Sequence, residues 1–420
     1  MVMNAYAKAL IVAGLSLAAS GSVHAQDKSS FTVTLVPPAH GKVQLTPPLP
    51  SDGKYPAGTV VTVATTPDAG YVLDSAWYSV AGRFGQMYHE GMTPAFKVTI
   101  DQDKRIGASF IDASAVKDLV VTNDIVYAKP GVKPLKYDVF APNGARNLPI
   151  IVIIHGGGWT ANDEDIMRGL ARELTKGGNF VVFSMDYRWA GKGDGDATPN
   201  TMADLIDDVF GGIAHIMEHA AQYGGDPTRI GVTGDSAGGH LSAAASLMTN
   251  MIGSRGFGKT PGVFEFMPSY LPKGKTVEQV RDEMTKAIKA AAPSYGVFGP
   301  AMLNTYSDNP AADQSWKDAI APLGHIPPAT ERSVPQFLTR GTRDPLITDA
   351  MVKEFVDALV KAGQRAEYVQ VGGASHAFFD WKPDDATKAT FQKYGVYYAA
   401  AMKSFFLSVF DQPTSPSGTR

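Results

Sequence analysis

Ile150-Ile151-Val152-Ile153-Ile154 is an unbroken run of branched aliphatic residues. A half-solvated strand would alternate polar and apolar residues, whereas a strand covered on both faces has no polar side to show. Such strands belong to parallel sheets flanked by helices, and the surrounding chain is patterned accordingly. Strand-like segments lie at 119–127, 135–140, 149–154, 179–185, 229–233, 294–297, 335–339 and 366–371, and helix-like segments at 163–175, 201–222, 237–248, 349–362 and 386–409. The expectation is an eight-stranded, mostly parallel sheet with helices on both faces, over 118–412. Two stretches, 249–286 and 298–333, exceed what such a sheet requires and read as cap or pocket-wall insertions.

The first third differs in texture. Between Phe31 and Phe110, Phe31-Thr-Val-Thr-Leu and Thr59-Val-Val-Thr-Val-Ala alternate, and turn formers such as Pro37-Pro38, Asp52-Gly53 and Gly70 punctuate them. This predicts a small all-β unit over 27–112, joined through 112–117 to the larger domain. At the N-terminus, Ala9 to Ala19 is apolar but too short to span a bilayer, and Val23-His24-Ala25 sets small residues before a cut that leaves Gln26 first. Residues 1–25 therefore read as a secretory signal and the protein as secreted or periplasmic, with 413–420 a disordered tail.

Composition removes several function classes. With no Cys among 420 residues, disulfides, thiolate nucleophiles and Cys-ligated zinc are excluded. A net charge of −3 gives no basic face for nucleic acid. No later run reaches transmembrane length.

Gly234-Asp235-Ser236-Ala237-Gly238 matches Gly-x-Ser-x-Gly between an apolar strand and a small-residue helix. That context places the serine on a tight strand-to-helix turn, with the flanking glycines avoiding clashes and the helix N-terminus offering N–H groups to negative charge. His155-Gly156-Gly157-Gly158-Trp159 follows the apolar run at 150–154. Its glycines let backbone N–H groups approach a ligand closely. No Lys-Ser/Thr pair follows, as a phosphate-binding loop would require. The expected oxyanion hole is Gly156, Gly157 and the N–H of Ala237.

Together with Asp186-Tyr187-Arg188, Gly225-Asp226-Pro227-Thr228-Arg229 and Gly238-Gly239-His240, these motifs resemble the α/β-hydrolase carboxylesterases related to hormone-sensitive lipase. They are also similar to bacterial feruloyl and acetyl carbohydrate esterases. The resemblance implies an α/β-hydrolase fold, ester hydrolysis without metal or organic cofactor, and a supporting role for Asp186-Tyr187-Arg188 under the glycine loop. The stretch Gly58-Thr59-Val60…Gly70-Tyr71…Trp77…Ala108-Ser109-Phe110 resembles internalin-type B-repeat modules, which implies a binding or spacing unit able to contact polysaccharide or a cell surface.

In this fold the acid and then the histidine follow the serine along the chain. Two histidines follow His240. His325 lies among prolines, in an expected insertion, and reads as structural. His376, in Gly372-Gly-Ala-Ser-His-Ala just after the last strand, reads as the base. Gly341-Thr-Arg-Asp344-Pro-Leu-Ile matches the family's Gly-x-x-Asp-x-x-Val, which implies Asp344 as the acid; the rival, Asp349, better suits a helix start. Trp159, Trp189, Phe378 and Trp381 are expected to line an aromatic-friendly pocket, alternatively to be packing residues. Asp194-Gly195-Asp196 with Asn200 lacks EF-hand spacing and reads as a loop turn. The expected function is a serine carboxylesterase, with feruloyl, acetyl carbohydrate or other aromatic esters as substrates and polyester as a side activity. A prolyl-oligopeptidase-type peptidase and a catalytically dead binding protein stand as alternatives.

Overall fold

The structure, a computed structural model, describes residues 29–82, 85–254, 265–306 and 314–411. The expected signal (1–25) and tail (413–420) lie outside the described residues, as do parts of both expected insertions.

Eight strands build the N-terminal module: β1 (Ser30–Leu35), β2 (Gly41–Thr46), β3 (Lys54–Pro56), β4 (Thr59–Pro67), β5 (Tyr71–Gly82), β6 (Gly85–Gly91), β7 (Ala95–Ile100) and β8 (Lys104–Asp112). They form a five-stranded sheet, β3-β1-β8-β5-β6, and a three-stranded sheet, β2-β4-β7. Alternation sets the faces: on β4, Val61 and Val63 are fully buried while Val60 is 52% exposed. Val33, Leu45, Tyr55, Val98, Ile100 and Ile106 complete a small core. On β5, Asp74, Ser75, Ala76 and Trp77 are buried in succession. Such a run requires cover on both faces of the strand, and the larger domain supplies the second cover, with Arg168, Arg172 and Trp381 all on Asp74.

The larger domain is built on β9 (Leu119–Ala128), β10 (Leu135–Pro142), β11 (Leu148–Ile154), β12 (Val181–Met185), β13 (Gly225–Asp235), β14 (Ile288–Ser294), β15 (Gln336–Gly341) and β16 (Ala366–Val371). Their order is β16-β15-β14-β13-β11-β12-β10-β9, with only β10 running against its neighbours. The helices are α1 (Arg168–Thr175), α2 (Met202–His219), α3 (Ala237–Leu247), α4 (Val277–Ala287), α5 (Pro300–Tyr306), α6 (Gln314–Ala319), α7 (Asp349–Lys361), α8 (Asp385–Thr390) and α9 (Val396–Phe410). Local chemistry starts several of them. Thr201 and Asp204 form a capping box ahead of α2, and Thr276 and Gln279 one ahead of α4. No described helix is long and apolar enough to cross a membrane.

The strand expected at 294–297 lies instead at Ile288–Ser294. Its Ala290-Ala291-Ala292 lacks the β-branched residues that mark a strand, and Ala is a strong helix former. Tertiary packing overrides that preference, because α3 lies so close that a Cβ on Gly239 would meet Ser294 O, at the end of β14, at 2.5 Å. Within the stretch 249–286, α4 buries Val280 and Met284 in the main core, so the end of that stretch is the crossover helix into β14 rather than cap.

Candidate active site

The strand order reverses around β11, with β12 on one side and β13 on the other. In open α/β sheets the crevice at such a point, at the carboxyl ends of the strands, is where ligands bind. Ile154 pairs with Gly234 across β11 and β13, so the loop His155–Trp159 and the turn at Ser236 leave the sheet side by side.

Ser236 sits between β13 and α3 with φ of 51° and ψ of −112°, a left-hand φ that a non-glycine residue adopts only under strain. Its N–H donates to Ser294 O at 3.0 Å. The flanking glycines are sterically required, since a Cβ on Gly238 would collide with Ile154 O and one on Gly234 with Gly238 O.

His376 and Asp344 reach this serine from the ends of β16 and β15. His376 Nε2 is 2.9 Å from Ser236 Oγ, and His376 Nδ1 is 2.8 Å from Asp344 Oδ2. Asp344 Oδ1 accepts the N–H groups of Leu346 at 2.8 Å and Ile347 at 2.9 Å. Burial works to raise the Asp344 carboxyl, but the His376 bond and these two backbone donors hold it below its ordinary value. A carboxylate can only accept, so Nδ1 carries the proton and Nε2 presents its lone pair to the serine hydroxyl. The Tyr295 ring lies 4.8 Å from the imidazole. Asp349 stands apart at the start of α7, where Lys353, Tyr368 and Gln370 engage it.

The glycine loop departs from expectation at one residue. The Gly156 N–H is not available to an oxyanion: it donates to Asp235 Oδ1 at 2.6 Å, and a Cβ on Gly156 would collide with that same carboxyl. Among the described residues, the N–H groups of Gly157 and Gly158 have no partner, and both residues have positive φ. Ala237 is the first residue of α3, where intrahelical partners for the N–H are lacking. Burial, with Asp380 nearby, pushes the Asp235 carboxyl well above the ordinary range, towards its neutral form.

His155 anchors the loop from below. Its Nδ1 is 2.7 Å from Gly156 O and its Nε2 3.1 Å from Asp186 Oδ1. Tyr187 stacks on the ring at 4.3 Å and donates its hydroxyl to His155 O at 2.8 Å. Lys133 pairs with Asp186 at 2.8 Å. Asp194 and Asp196 accept backbone N–H groups of Trp189 and Val132, as turn residues do. His325 bonds Asp318 O at 2.9 Å.

Three of the four aromatic residues expected at a pocket are packing residues. Phe378 is fully buried against Tyr295, Phe379 and Tyr398. Trp159 is 2% exposed and donates Nε1 to His240 Nδ1 at 3.3 Å. Trp381 is buried at the contact with the N-terminal module. Each is a large apolar body with its polar handle, where it has one, already engaged. Trp189 alone is half-buried; it donates Nε1 to Asn162 O at 2.8 Å and lies under Lys133. Nothing in the sequence singles out Asp235 or Tyr295. The variable position of Gly-x-Ser-x-Gly carries no requirement for an acid, and nothing near Tyr295 in the chain marks it.

Residues 137–359 match the BD-FAE family, and residues 31–114 match the divergent InlB B-repeat domain. Among curated proteins, the chain is 29% identical over 249 residues to carboxylesterase NlhH of Mycobacterium tuberculosis, covering 56% of this chain and 69% of that protein. It is 30% identical over 247 residues to the probable carboxylic ester hydrolase LipM of the same organism, covering 55% and 49%. Among solved structures, esterase 2 of Thermogutta terrifontis phosphoramylated by tabun superposes with a TM-score of 0.51 at 23% identity, covering 71% of this chain and 97% of that one. At that identity the likeness concerns the fold.

Proposed function

On the premise that the chain belongs to the BD-FAE family of α/β-hydrolase esterases and is a carboxylic ester hydrolase, we propose that it works by acyl transfer through Ser236, His376 and Asp344. The observation that carries this reading is the continuous chain of hydrogen bonds from Asp344 through His376 to Ser236 Oγ. His376 Nε2 takes the hydroxyl proton as Oγ attacks the ester carbonyl carbon. The carbonyl oxygen becomes an oxyanion, held by the N–H groups of Ala237 and Gly157, with Gly158 beside them; one such donor contributes roughly 3 kcal/mol. The intermediate collapses, the bond to the alcohol oxygen breaks, and His376 returns the proton to that alcohol. Water then attacks the acyl-enzyme by the same route and frees the acid. Asp344 keeps the imidazole in its productive tautomer throughout.

For substrate, we favour small acyl or feruloyl groups carried on carbohydrate. The B-repeat module supplies a surface for contact with a polymer, and Trp189, half-buried under Lys133 and bonded to Asn162 O, is the one of the four expected aromatic residues that is not sealed in the core. Export, to the periplasm or the medium, rests on the sequence of residues 1–25 and is tested by N-terminal sequencing of the periplasmic and extracellular protein, which should begin near Gln26.

The reading is tested with Ser236→Ala on a short-acyl nitrophenyl ester. The variant should keep the wild-type circular dichroism and lose turnover; retained turnover overturns the assignment. An acetyl, butyryl, octanoyl and feruloyl panel then tests the substrate class, with octanoyl expected to be poorest. An octanoyl preference contradicts it.

A further inference from the structure

The contact between the module and the larger domain is built around a buried carboxylate. Asp74, on β5 of the module, is 1% exposed. Its Oδ1 accepts from Arg172 at 2.8 Å and from Arg168 Nε at 3.2 Å, both on α1. Its Oδ2 accepts from Trp381 Nε1 at 2.9 Å and from Ser109 Oγ at 3.2 Å. Lys388 lies 4.0 Å away and also bonds Ser109. Arg168 is fully buried and takes a second module carboxylate, Glu90, at 2.5 Å. Burial alone would raise the Asp74 carboxyl, but Arg168, Arg172 and Lys388 outweigh it and hold it far below the usual carboxylate range.

Trp381 links this cluster to the site. It is the fifth residue after His376, and its indole has a single donor, which goes to Asp74. The Arg172 guanidinium lies 4.9 Å from the ring centroid, Phe391 meets the ring edge-on at 5.1 Å, and the Trp381 backbone N–H donates to Ile166 O at 3.0 Å. The chain between Trp381 and His376 has little freedom. Ala377 has φ of 58°, the Asp380 N–H closes a turn to Ala377 O at 3.3 Å, and Phe378 and Phe379 are buried against the same Tyr295 ring that flanks the imidazole. A shift at Trp381 therefore passes to the imidazole.

From this geometry we infer that the N-terminal module is a working part of the esterase, and that Asp74 is a positioning residue that fixes the His376 loop through Trp381. The inference rests on His376 being the base. A misplacement of the base by about 1 Å costs on the order of 10–100-fold in turnover while leaving substrate binding largely intact.

The test uses the full chain and a short-acyl nitrophenyl ester, with Asp74→Asn, Trp381→Phe, the double variant and Ser236→Ala. Trp381→Phe keeps an aromatic ring and every Asp74–arginine pair, so it decides the matter even where Asp74→Asn fails to fold. Each single variant should lower kcat about tenfold, with KM within about twofold and assays run well below each Tm. The double variant should fall no further than the worse single one, because both remove the same link. Two results would overturn the inference: a folded Asp74→Asn or Trp381→Phe with kcat within about twofold of wild type, however much its Tm falls, or losses that multiply in the double variant. Inactive Ser236→Ala beside unimpaired Trp381→Phe sinks this inference alone. Active Ser236→Ala sinks the reading of the site itself.

Discussion

Ser236 Oγ and His376 Nε2 stand 2.9 Å apart although 140 positions separate them in the chain. The serine is aimed by a strained turn that two glycines permit. The imidazole is aimed by Asp344 on one side and the Tyr295 ring on the other. Neither group would find the other without the strand order that sets β13, β14, β15 and β16 in succession.

Asp344→Asn should preserve the fold and lower kcat by on the order of 10⁴. An amide facing Nδ1 can donate as well as accept, so it no longer enforces the tautomer that leaves Nε2 free to receive the serine proton. A steady-state assay checks this, and a loss of under about tenfold would place the acid elsewhere.

Asp235 makes a sharper distinction. Its carboxyl is pushed towards the neutral form by burial and accepts from Gly156 N–H. Asp235→Asn keeps an acceptor oxygen and should retain activity within a fewfold. Asp235→Ala strands a buried N–H, which costs about 1–3 kcal/mol, and loosens the loop that carries Gly157 and Gly158. Its kcat should fall roughly tenfold or more, since each oxyanion donor contributes about that or better. Equal activities of the two variants would contradict the bracing role.

His240 should leave a signature in the pH dependence of stability. Its Nε2–H donates to Ile320 O at 2.8 Å and its Nδ1 accepts from Trp159. Burial pushes its pKa down from 6.5 to about 4. The unfolded chain therefore binds the proton more readily, and the stabilisation present above pH 6.5 is lost as pH falls towards 4. The loss amounts to roughly 3 kcal/mol. His240→Gln, which can make both bonds without titrating, should show a shallower decline in urea melts between pH 7 and 4.5. Parallel declines would contradict the buried neutral form.

The legible parts of this protein are those where chemistry is local. Ile150–Ile154, Gly234–Gly238 and His155–Trp159 each state a strand, a turn or a loop within a few residues, and the order of serine, acid and histidine follows from the fold they imply. The less legible parts depend on distant partners. The alanines of β14 carry no β-branched signal, so the strand reads at 294–297 instead of Ile288–Ser294, where α3 packs against it. Gly156 read as an oxyanion donor because nothing in sequence shows the Asp235 carboxyl folding back onto it. Phe378 and Trp381 read as pocket aromatics because their neighbours, Tyr295 and Asp74, come from elsewhere in the chain.

The central claim is that Ser236 forms the covalent acyl-enzyme, and a fluorophosphonate tests it most directly because it traps an activated serine at the step of attack. Intact-mass and peptide mapping of the labelled full-length protein should find one adduct per chain, on the peptide carrying Ser236, accumulating in step with the loss of esterase turnover. An adduct on another residue that accompanies the loss, or full turnover in protein labelled at Ser236, would contradict the account.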